Sequence, residues 1–506
     1  MEWNEGYVTD IEYIHGFYPE LAPEQLAMAA LLRGIKPPSL EEGFTYFELG
    51  CGQGLSLNLL AACNPQGRFY GNDFNPTHVA GAQALADAAG LKNVTILEKS
   101  FQELQSMDLP RFDFICLHGI YSWINTENRR FIVDFIRGRL KPGSLVYISY
   151  NCLPGWSATA PLRRLMTDYA HASGGGVLTQ RVEKALAFTS RLRDLKMGFF
   201  MPNPALDARL AQIQAASRNY LAHEYFNRDW TPFYHSDVVR DMTEAKLSFV
   251  GPASYGEQLE FLLLAQNALA LLAEIQEPVL RETIKDFLLN QQFRKDVFAR
   301  GKIGMQINEQ RELLKRKRFM LATPRADVPL TIRFIVGDVN LLPDVYNPVL
   351  DKLDKGPCTL ADLSAALVPG KLTQEQVEHV VLVMLASGHV LLLPTGFEDE
   401  RKNATDRFNA VVVERALQGD ELQFLASPVA CSGVHADLVD RLFVSALKKK
   451  QEPTAYAWDA LHARNQVLIK DGKLLSKPEE NLKELAERHK LFMEKRLSRL
   501  QKLGIT

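Results

Sequence analysis

A glycine-rich loop carries the strongest chemical signal in the sequence. Residues 47–54 lie between a short apolar run and a helix-like segment, and their glycines follow the spacing GxGxG. Leu55 stands where a dinucleotide-binding loop has its third glycine. Glu48 adds a carboxylate that repels a pyrophosphate but attracts a cofactor bearing an ammonium and a sulfonium; a plain strand-to-helix turn is the alternative. The predicted cofactor contacts are Glu48, Gly50, Gly52 and Gly54.

An acidic residue follows the loop by about twenty positions, at the end of the next predicted strand. Asp73 has the spacing at which a carboxylate binds both hydroxyls of a ribose. Its alternative role, which is compatible with the first, is to cap the helix that begins near Pro76. The third predicted strand ends at Ser100, which offers a hydrogen bond, and Phe101, which can stack on a base. The predicted contacts of this part are Asp73, Phe74, Asn75, Ser100 and Phe101.

Rings and polar side chains also follow the fourth and fifth predicted strands. Ligands of an open parallel sheet bind outside the carboxyl ends of its strands, so these residues should converge on one crevice. Tyr121 and Asn151 have polar side-chain ends and are predicted to be functional residues at the mouth of that crevice. Trp123 and Trp156 either line the crevice or belong to the core. His118, which is also a predicted cofactor contact, and Tyr150 complete the set at these two strand ends.

The elements that must position these residues alternate between strand and helix. Apolar runs at 45–49, 68–72, 94–98, 112–117 and 144–150 are separated by helix-length amphipathic segments. This rhythm predicts an α/β domain over residues 44–257 with a parallel sheet and helices on both faces. Residues 160–240 read as a helical insertion, and 246–255 as a late strand of the same sheet.

The remainder of the chain is predicted to form three appended units. Residues 258–325 read as a helical regulatory and dimerisation region, which makes a homodimer one predicted assembly. Residues 326–400 contain a winged-helix-like order of elements, but the third helix carries Glu375 and Glu378 and no Lys or Arg. A DNA-reading helix needs basic and amide side chains, so a nucleic-acid partner is not predicted. Residues 401–506 are expected to be rich in α-helix.

Composition narrows the class of protein. The 506 residues are 46% apolar and 23% charged with a formal net charge of −2, which is typical of a globular protein without a global pull towards nucleic acid or membranes. The apolar stretches are too short and interrupted for membrane insertion, and the acidic start does not resemble a signal peptide. The six cysteines have no metal-binding spacing, so no metal is predicted. A cytoplasmic location is expected.

Taken together, these motifs resemble the class I S-adenosylmethionine-dependent methyltransferases with an appended regulatory domain. That group includes the rickettsial outer-membrane-protein lysine methyltransferases. The matching runs are 6–10, 15–18, 48–54, 70–76, 118–123, 149–156, 222–227, 290–294 and 424–428. The resemblance implies a Rossmann-like seven-stranded sheet and S-adenosyl-L-methionine as cofactor. It also implies that residues 1–43 form a helical cap in which Tyr13, Phe17 and Tyr18 close over the cofactor.

The ring-rich crevice, which can hold a cationic methylated product, and the large appended units favour a protein lysine as the methyl acceptor. A lysine amine must enter neutral, and an aromatic crevice favours that form by desolvation. Tyr121, Tyr150 and Asn151 are predicted to orient the nitrogen, and His118 or Glu224 to accept its proton through water; Glu224 has an equal structural alternative. Substrate contacts are predicted at Trp123, Trp156, His223 and Tyr225. Two other functions stay open: a small-molecule O- or N-methyltransferase, and a binding protein that senses the cofactor.

Overall fold

A seven-stranded sheet organises the first 300 residues of the chain. The fold is described by a computed structural model for residues 15–175, 177–216, 221, 225–227, 229–370 and 372–506. The strands are β1 (Phe44–Leu49), β2 (Gly67–Asp73), β3 (Val94–Glu98), β4 (Phe112–Leu117), β5 (Leu140–Asn151), β6 (Leu247–Pro252) and β7 (Phe293–Arg300). Their order is β3-β2-β1-β4-β5-β7-β6, and β7 runs antiparallel to both of its neighbours. The predicted α/β class and seven-stranded sheet are confirmed.

Both faces of the sheet are buried, which explains its near-continuous apolar runs. Every residue of β1 is buried. Phe44 and Tyr46 pack into the core on one face, and Phe47 and Leu49 into the core on the other. The helices of this region are α1 (Pro23–Leu32), α2 (Leu55–Cys63), α3 (Pro76–Ala88), α4 (Thr126–Arg139), α5 (Ala160–Ala172), α6 (Leu178–Asp194), α7 (Ala205–Ala215), α8 (His235–Glu244), α9 (Tyr255–Gln258), α10 (Gln266–Ala273), α11 (Pro278–Leu289) and α12 (Ile307–Arg316).

The predicted end of the sheet domain at residue 257 is wrong. Strand β7 falls inside the region 258–325 that is predicted to be helical, yet it lies between β5 and β6 in the sheet. Its register pairs Ile148 with Asp296 and Tyr150 with Arg294. The sequence of β7 lacks the apolar run that predicts a buried strand, because it contains charged residues. Two of these, Arg294 and Asp296, are buried in an ion-pair network. The sheet domain therefore extends to residue 300.

The middle unit begins earlier than predicted, since a strand before residue 326 belongs to its small sheet. Its elements are β8 (Arg318–Leu321), β9 (Thr331–Phe334), β10 (Gly337–Asn340), α13 (Pro343–Asp354), β11 (Cys358–Thr359), α14 (Leu360–Leu367), α15 (Gln374–Ala386) and β12 (Val390–Leu393). The sheet order is β11-β8-β12. A winged helix has a return strand after β12, whereas here the third strand, β8, comes from before the helices. Thr359 and Thr373 cap α14 and α15, as their capping-box spacing predicts.

The C-terminal unit packs on the sheet domain and shares its core. It consists of α16 (Glu398–Arg415), β13 (Phe424–Ser427), β14 (Ser432–His435), α17 (Leu438–Lys448), α18 (Pro453–His462), β15 (Ile469–Lys470), β16 (Lys473–Leu474), α19 (Pro478–Leu491) and α20 (Leu497–Lys502), the last two joined by a π-helical turn. Leu57 and Leu60 of α2 lie in one apolar cluster with Phe408 of α16 and Leu425 of β13. Among the described residues, no helix is both long and apolar enough to cross a membrane.

Candidate active site

A cavity lies at the carboxyl ends of β1, β2 and β4, where the glycine-rich loop was predicted to act. The loop forms one wall, the ends of β2 and β3 form a second, and residues after β4 form a third. His15, Gly16 and Tyr18 close the cavity from the amino-terminal side. The rest of the described part of the predicted cap, including α1, packs against the sheet and the middle unit instead.

The glycines of the loop are required by backbone conformation and by packing. Gly50, Gly52 and Gly54 all have positive φ and all line the cavity. Gly54 precedes α2 with φ +69°, and a Cβ atom there would lie 2.5 Å from the Cβ of Ala82 on α3. At Gly50 a Cβ atom would lie 2.5 Å from Cδ1 of Ile120. A side chain at either position would therefore push the cavity wall or helix α3 out of place.

Asp73 connects the loop to the end of β2. Its Oδ2 accepts the backbone N–H of Gly52 at 3.0 Å, and its Oδ1 accepts the N–H of Asn75 at 2.9 Å. The ring Nδ1 of His78 lies 3.3 Å from Oδ1. Asp73 does not cap α3: Asn75 does, through its Oδ1 and the N–H of Thr77, so Asn75 is buried and does not line the cavity. The capping role proposed for Asp73 is thus wrong, and its carboxylate faces the cavity.

Glu48 places a second carboxyl group in the cavity wall. The side chain is 5% exposed, and its Oε2 has no hydrogen-bond partner among the described residues. Burial raises the pKa of Glu48 from 4.5 to about 8, because the loss of hydration disfavours the charged carboxylate. A buried carboxyl group without a partner is costly to keep. A donor from a bound molecule, such as an ammonium group, would relieve that cost.

The wall formed by the ends of β2 and β3 has no acidic residue at its Ser100 position. Ser100, Phe101 and Phe74 line the cavity, as the sequence predicts. The hydroxyl of Ser100 donates to Oε2 of Glu103 at 3.0 Å, and its backbone N–H donates to the same oxygen at 2.8 Å. Glu103 therefore fixes the turn after β3 and leaves Phe101 as an apolar surface of the cavity.

His118 is held as a neutral ring. Its Nδ1 lies 2.7 Å from the hydroxyl oxygen of Tyr147, and the Tyr18 ring stacks on it with a centroid distance of 3.7 Å. Burial, assisted by the nearby Lys295 ammonium, lowers the pKa of His118 to about 3. A ring with so low a pKa is a poor acceptor for the proton of an amine. The predicted role of His118 as a base is therefore not supported, whereas its place in the cavity wall is.

Phe17 does not line the cavity, although its neighbours Gly16 and Tyr18 do. The ring is 7% exposed and lies 5.6 Å from the ring of Phe424 in the C-terminal unit. Its predicted contact with the cofactor is replaced by a contact between units. Tyr13, the third residue of the predicted cap, lies outside the described residues.

Three predicted catalytic residues, Tyr121, Tyr150 and Asn151, are placed away from the cavity lining. The hydroxyl of Tyr121 donates to Oδ2 of Asp241 at 2.8 Å, and that of Tyr150 donates to Oδ2 of Asp296 at 2.6 Å. Both rings are completely buried apart from a 1% exposure of Tyr150. The backbone of Asn151 bonds to Ser122 and Phe233, and its side chain is 5% exposed. The hydroxyl groups of Tyr121 and Tyr150 are used inside the protein, so they cannot orient an acceptor nitrogen. Asn151 is buried away from the cavity lining, and its Nδ2 has no hydrogen-bond partner among the described residues.

Tyr150 donates its hydroxyl hydrogen bond to a buried ion-pair network that involves β7. Arg294 bonds through Nη1 to Asp286 at 2.5 Å and through Nη2 to Glu282 at 3.0 Å. Its Nε lies 2.9 Å from Oδ2 of Asp296, the same oxygen that accepts Tyr150. This charge compensation lowers the pKa of Asp296 despite complete burial. The network joins β5, β7 and α11 into one rigid edge of the sheet.

The predicted substrate residues divide between the cavity and the helical insertion. Trp123 lines the cavity and is 8% exposed. Trp156 packs on Trp230 at 5.0 Å and on Tyr225 at 6.3 Å, in the core of the insertion. Trp156 and Tyr225 are therefore core residues, the alternative already raised for Trp156. His223 and Glu224 lie outside the described residues.

Several lining residues carry no signal strong enough to single them out in the sequence. Ser56 bonds to both Gly16 and Tyr18, and its place two positions after the loop was the available clue. Asn125 and Asn128 begin α4, where Oδ1 of Asn125 accepts the N–H of Asn128 at 2.8 Å. Asp229 reaches the cavity from the far end of the insertion, so no local pattern could reveal it.

Comparisons with known proteins identify the class of this site. The family described as "Methyltransferase domain" matches residues 47–146, and the "Predicted methyltransferase regulatory domain" matches residues 217–300. The chain is 42% identical to uncharacterized protein sll1526 of Synechocystis over the whole of both chains. It is also 28% identical to uncharacterized protein RP028 of Rickettsia prowazekii, over 47% of this chain and 93% of that protein.

The fold is similar to that of PKMT2 from Rickettsia typhi, solved in complex with AdoHcy. The TM-score is 0.69 at 17% identity, over 95% of this chain and 98% of that one. The fold, the glycine loop and these matches define a class I methyltransferase. The chain belongs to the S-adenosylmethionine-dependent methyltransferases that carry the regulatory domain, together with sll1526. The regulatory family spans β6 and β7, so it contributes part of the sheet.

The cavity fits S-adenosylmethionine, the cofactor of this class. When bound, this cofactor supplies an activated methyl group on a sulfonium. The unpartnered carboxyl group of Glu48 suits an ammonium donor, and the Asp73 carboxylate suits the hydroxyls of a ribose. The positive-φ glycines provide close backbone approach.

Proposed function

We propose that this methyltransferase transfers the methyl group to a lysine amine of a protein. The observation that carries the proposal is the joint presence of Trp123 and Asp229 on the cavity wall. A tryptophan face and a carboxylate are the two groups that attract an organic cation most strongly. A site for a neutral hydroxyl acceptor would not need either of them.

The two residues are brought together by backbone pairing across the insertion. The N–H of Thr231 donates to the carbonyl oxygen of Ser122 at 2.8 Å, so the chain around Asp229 runs beside Trp123. Trp123 is further held by Trp230, whose ring lies 6.4 Å away. An incoming ammonium would meet Asp229 and the Trp123 ring at the same wall, beside the Arg163 guanidinium, which lies 5.6 Å from the centroid of the Trp123 ring.

Two opposing effects act on the protonation of the acceptor amine: Asp229 favours its charged form, whereas desolvation favours the neutral form that methyl transfer requires. Ile120 and Ile124, which flank Trp123 in the chain, contribute apolar side chains to the cavity lining, and the Tyr18 ring adds to them. Desolvation there lowers the pKa of an amine and releases its proton to solvent. His118 stays neutral and adds no competing charge, since its own pKa is about 3. The acceptor nitrogen can then attack in line with the bond that breaks.

A protein acceptor is favoured over a metabolite by the extent of the fold similarity. PKMT2 from Rickettsia typhi shares 95% of this chain's length, so the middle and C-terminal units are common to both and not only the sheet domain. A small-molecule pocket needs no such units, whereas a macromolecular acceptor requires a wide surface. A small-molecule O- or N-methyltransferase remains the second candidate and is an outcome of the test.

The test is transfer of a tritiated methyl group to a cell extract, separated into protein and small-molecule fractions. We expect label in protein, located on lysine by mass spectrometry. Trp123→Ala and Asp229→Asn should each lower kcat/KM for the acceptor by about 10-fold or more, as expected for losing roughly 1–2 kcal/mol of cation binding. Asp168→Asn, which changes an exposed carboxylate paired with Arg164, is the matched control.

The proposal fails if label enters only small molecules. It also fails if Trp123→Ala and Asp229→Asn both methylate protein as fast as the unaltered enzyme while binding cofactor normally. Label on a protein residue other than lysine would be consistent with methyltransferase activity but would refute lysine as the acceptor.

A further inference from the structure

Phe17 joins the C-terminal unit to the segment that closes the cofactor cavity. The hairpin β13–β14 faces the ring, with Phe424 at a centroid distance of 5.6 Å. Gly433 on β14 lies still closer: a Cβ atom there would be 2.7 Å from Cδ1 of Phe17 and 2.8 Å from Cγ. The hairpin therefore leaves room for this ring only because residue 433 has no side chain.

The residues on either side of Phe17 form the cavity wall. Ser56 receives the N–H of Tyr18 at 3.3 Å and donates to the carbonyl oxygen of Gly16 at 3.0 Å. The Tyr18 ring stacks on His118 at 3.7 Å. Consecutive Cα atoms are fixed about 3.8 Å apart, so a displacement of Phe17 must be shared with Gly16 and Tyr18.

The hairpin is itself firmly attached to the sheet domain. Asn409 of α16 bonds to both backbone groups of Ala426, at 2.8 Å and 2.6 Å. Cys431, in the turn of the hairpin, places its Sγ 3.1 Å from the carbonyl oxygen of Cys63. Cys63 ends α2, the helix that starts at the glycine loop. The hairpin thus contacts the cofactor loop's helix at one end and the closing segment at the other.

We propose that the hairpin β13–β14 sets cofactor affinity, with Gly433 and Phe17 acting as positioning residues. Neither residue lines the cavity, yet together they determine where Gly16 and Tyr18 stand. A partner or modification that moved the C-terminal unit would change cofactor binding through the same contact. This inference concerns the cofactor alone and does not depend on the identity of the methyl acceptor.

The test adds a methyl group where the ring leaves no space. The backbone at Gly433 lies outside the positive-φ region, so Gly433→Ala introduces no backbone strain and acts only on Phe17. We expect the full-length variant to bind S-adenosylmethionine about 10-fold more weakly by calorimetry, which corresponds to a shift of roughly 1.4 kcal/mol. The KM for cofactor should rise with little change in kcat at saturation.

Two further variants keep the test decisive. Gly433→Ala combined with Phe17→Leu should recover most of the affinity, since the smaller side chain makes room for the added methyl group. Gly304→Ala is the control, because a Cβ there meets nothing within 4 Å. If Gly433→Ala unfolds the protein, Phe17→Leu alone is measured and should also weaken binding.

A purely structural role predicts a different result. It would lower the calorimetric stoichiometry and the melting temperature while the dissociation constant of the folded fraction stayed unchanged. That result, or a double variant no better than Gly433→Ala alone, overturns the proposal.

Discussion

The two sides of the crevice use their predicted residues in opposite ways. On the cofactor side, Glu48, Asp73 and the three loop glycines face the cavity. On the side of β4 and β5, the hydroxyl groups of Tyr121 and Tyr150 bond to protein carboxylates, and Asn151 is buried away from the cavity lining. Both sets stand at the carboxyl ends of parallel strands, so strand position alone does not decide which residues meet a ligand.

The difference lies in what packs beneath each strand end. The glycine loop is followed at once by its own helix, and its N–H groups bond to residues of the site itself: that of Gly52 to Asp73 and that of Gly50 to Asn72. Oε2 of Glu48 has no partner among the described residues. Tyr150 instead lies against β7, where Arg294 and Asp296 form buried ion pairs that recruit its hydroxyl group. A buried carboxylate takes the donors nearest to it, because an unsatisfied one is costly. Polar tips near such a network are used for stability and not for chemistry.

The strongest test of this comparison is Asp73→Ala. The substitution removes the acceptor for the N–H groups of Gly52 and Asn75 and the carboxylate that faces the cavity. We expect cofactor affinity measured by calorimetry to fall by about 100-fold or more, since hydrogen bonds to a charged group contribute roughly 1.5–3 kcal/mol each. Asp113→Ala, at the opposite end of the sheet, should leave the affinity unchanged; equal affinities in all three proteins would refute the site.

Glu48→Gln tests the other carboxylate through pH. Burial raises the pKa of Glu48 to about 8, so the carboxyl group of the cofactor-free protein is largely protonated at neutral pH. An ammonium beside it favours the ionised form, so binding should release a proton at pH 7 and strengthen as pH rises towards 8. We expect Glu48→Gln to bind about 10-fold or more weakly and to release no such proton. Calorimetry in buffers of different ionisation enthalpy measures both.

The same group makes a prediction for stability without cofactor. Because the folded-state pKa of Glu48 lies above its ordinary value of 4.5, the folded protein holds an extra proton between about pH 4.5 and pH 8. The titration of Glu48 therefore lowers the free energy of unfolding as pH rises through that window. Glu48→Gln should lack this part of the decline; an identical pH profile of the two proteins would contradict the assignment.

Tyr150→Phe should have the smallest effect on function. It removes the hydroxyl that donates to Asp296, which keeps its bonds from Arg294 and His235. We expect the free energy of unfolding to fall by about 1 kcal/mol and the methylation rate per folded molecule to stay the same. Tyr121→Phe, which loses the bond to half-buried Asp241, is the companion variant. A rate loss above 10-fold at unchanged stability would restore Tyr150 to the acceptor site.

The amount predictable from sequence differs between parts of the same sheet. The strands β1, β2, β4 and β5 follow from local apolar runs, because both faces of a parallel sheet are buried and the runs are nearly continuous. The edge strands β3 and β6 also have short runs, although β3 is only partly buried and β6 is antiparallel to β7. Strand β7 does not follow from such a run, since its inward side chains include Arg294 and Asp296, which look solvent-exposed in sequence. Its pairing partners in β5 are more than 100 residues away, so no local sequence pattern predicts this pairing.

The sequence by itself determined the class of the sheet, the glycine loop and Asp73, because a tight turn and a nearby carboxylate are requirements that act over a few residues. Only the tertiary structure decided which strand-end residues are free to meet a ligand. Trp123 lines the cavity while Trp156, a similar residue at the next strand end, packs against Trp230. Asp229 and Phe17 acquire their places from segments distant in the chain. Burial and partnering are set by neighbours in space, and these neighbours exist only once the chain has folded.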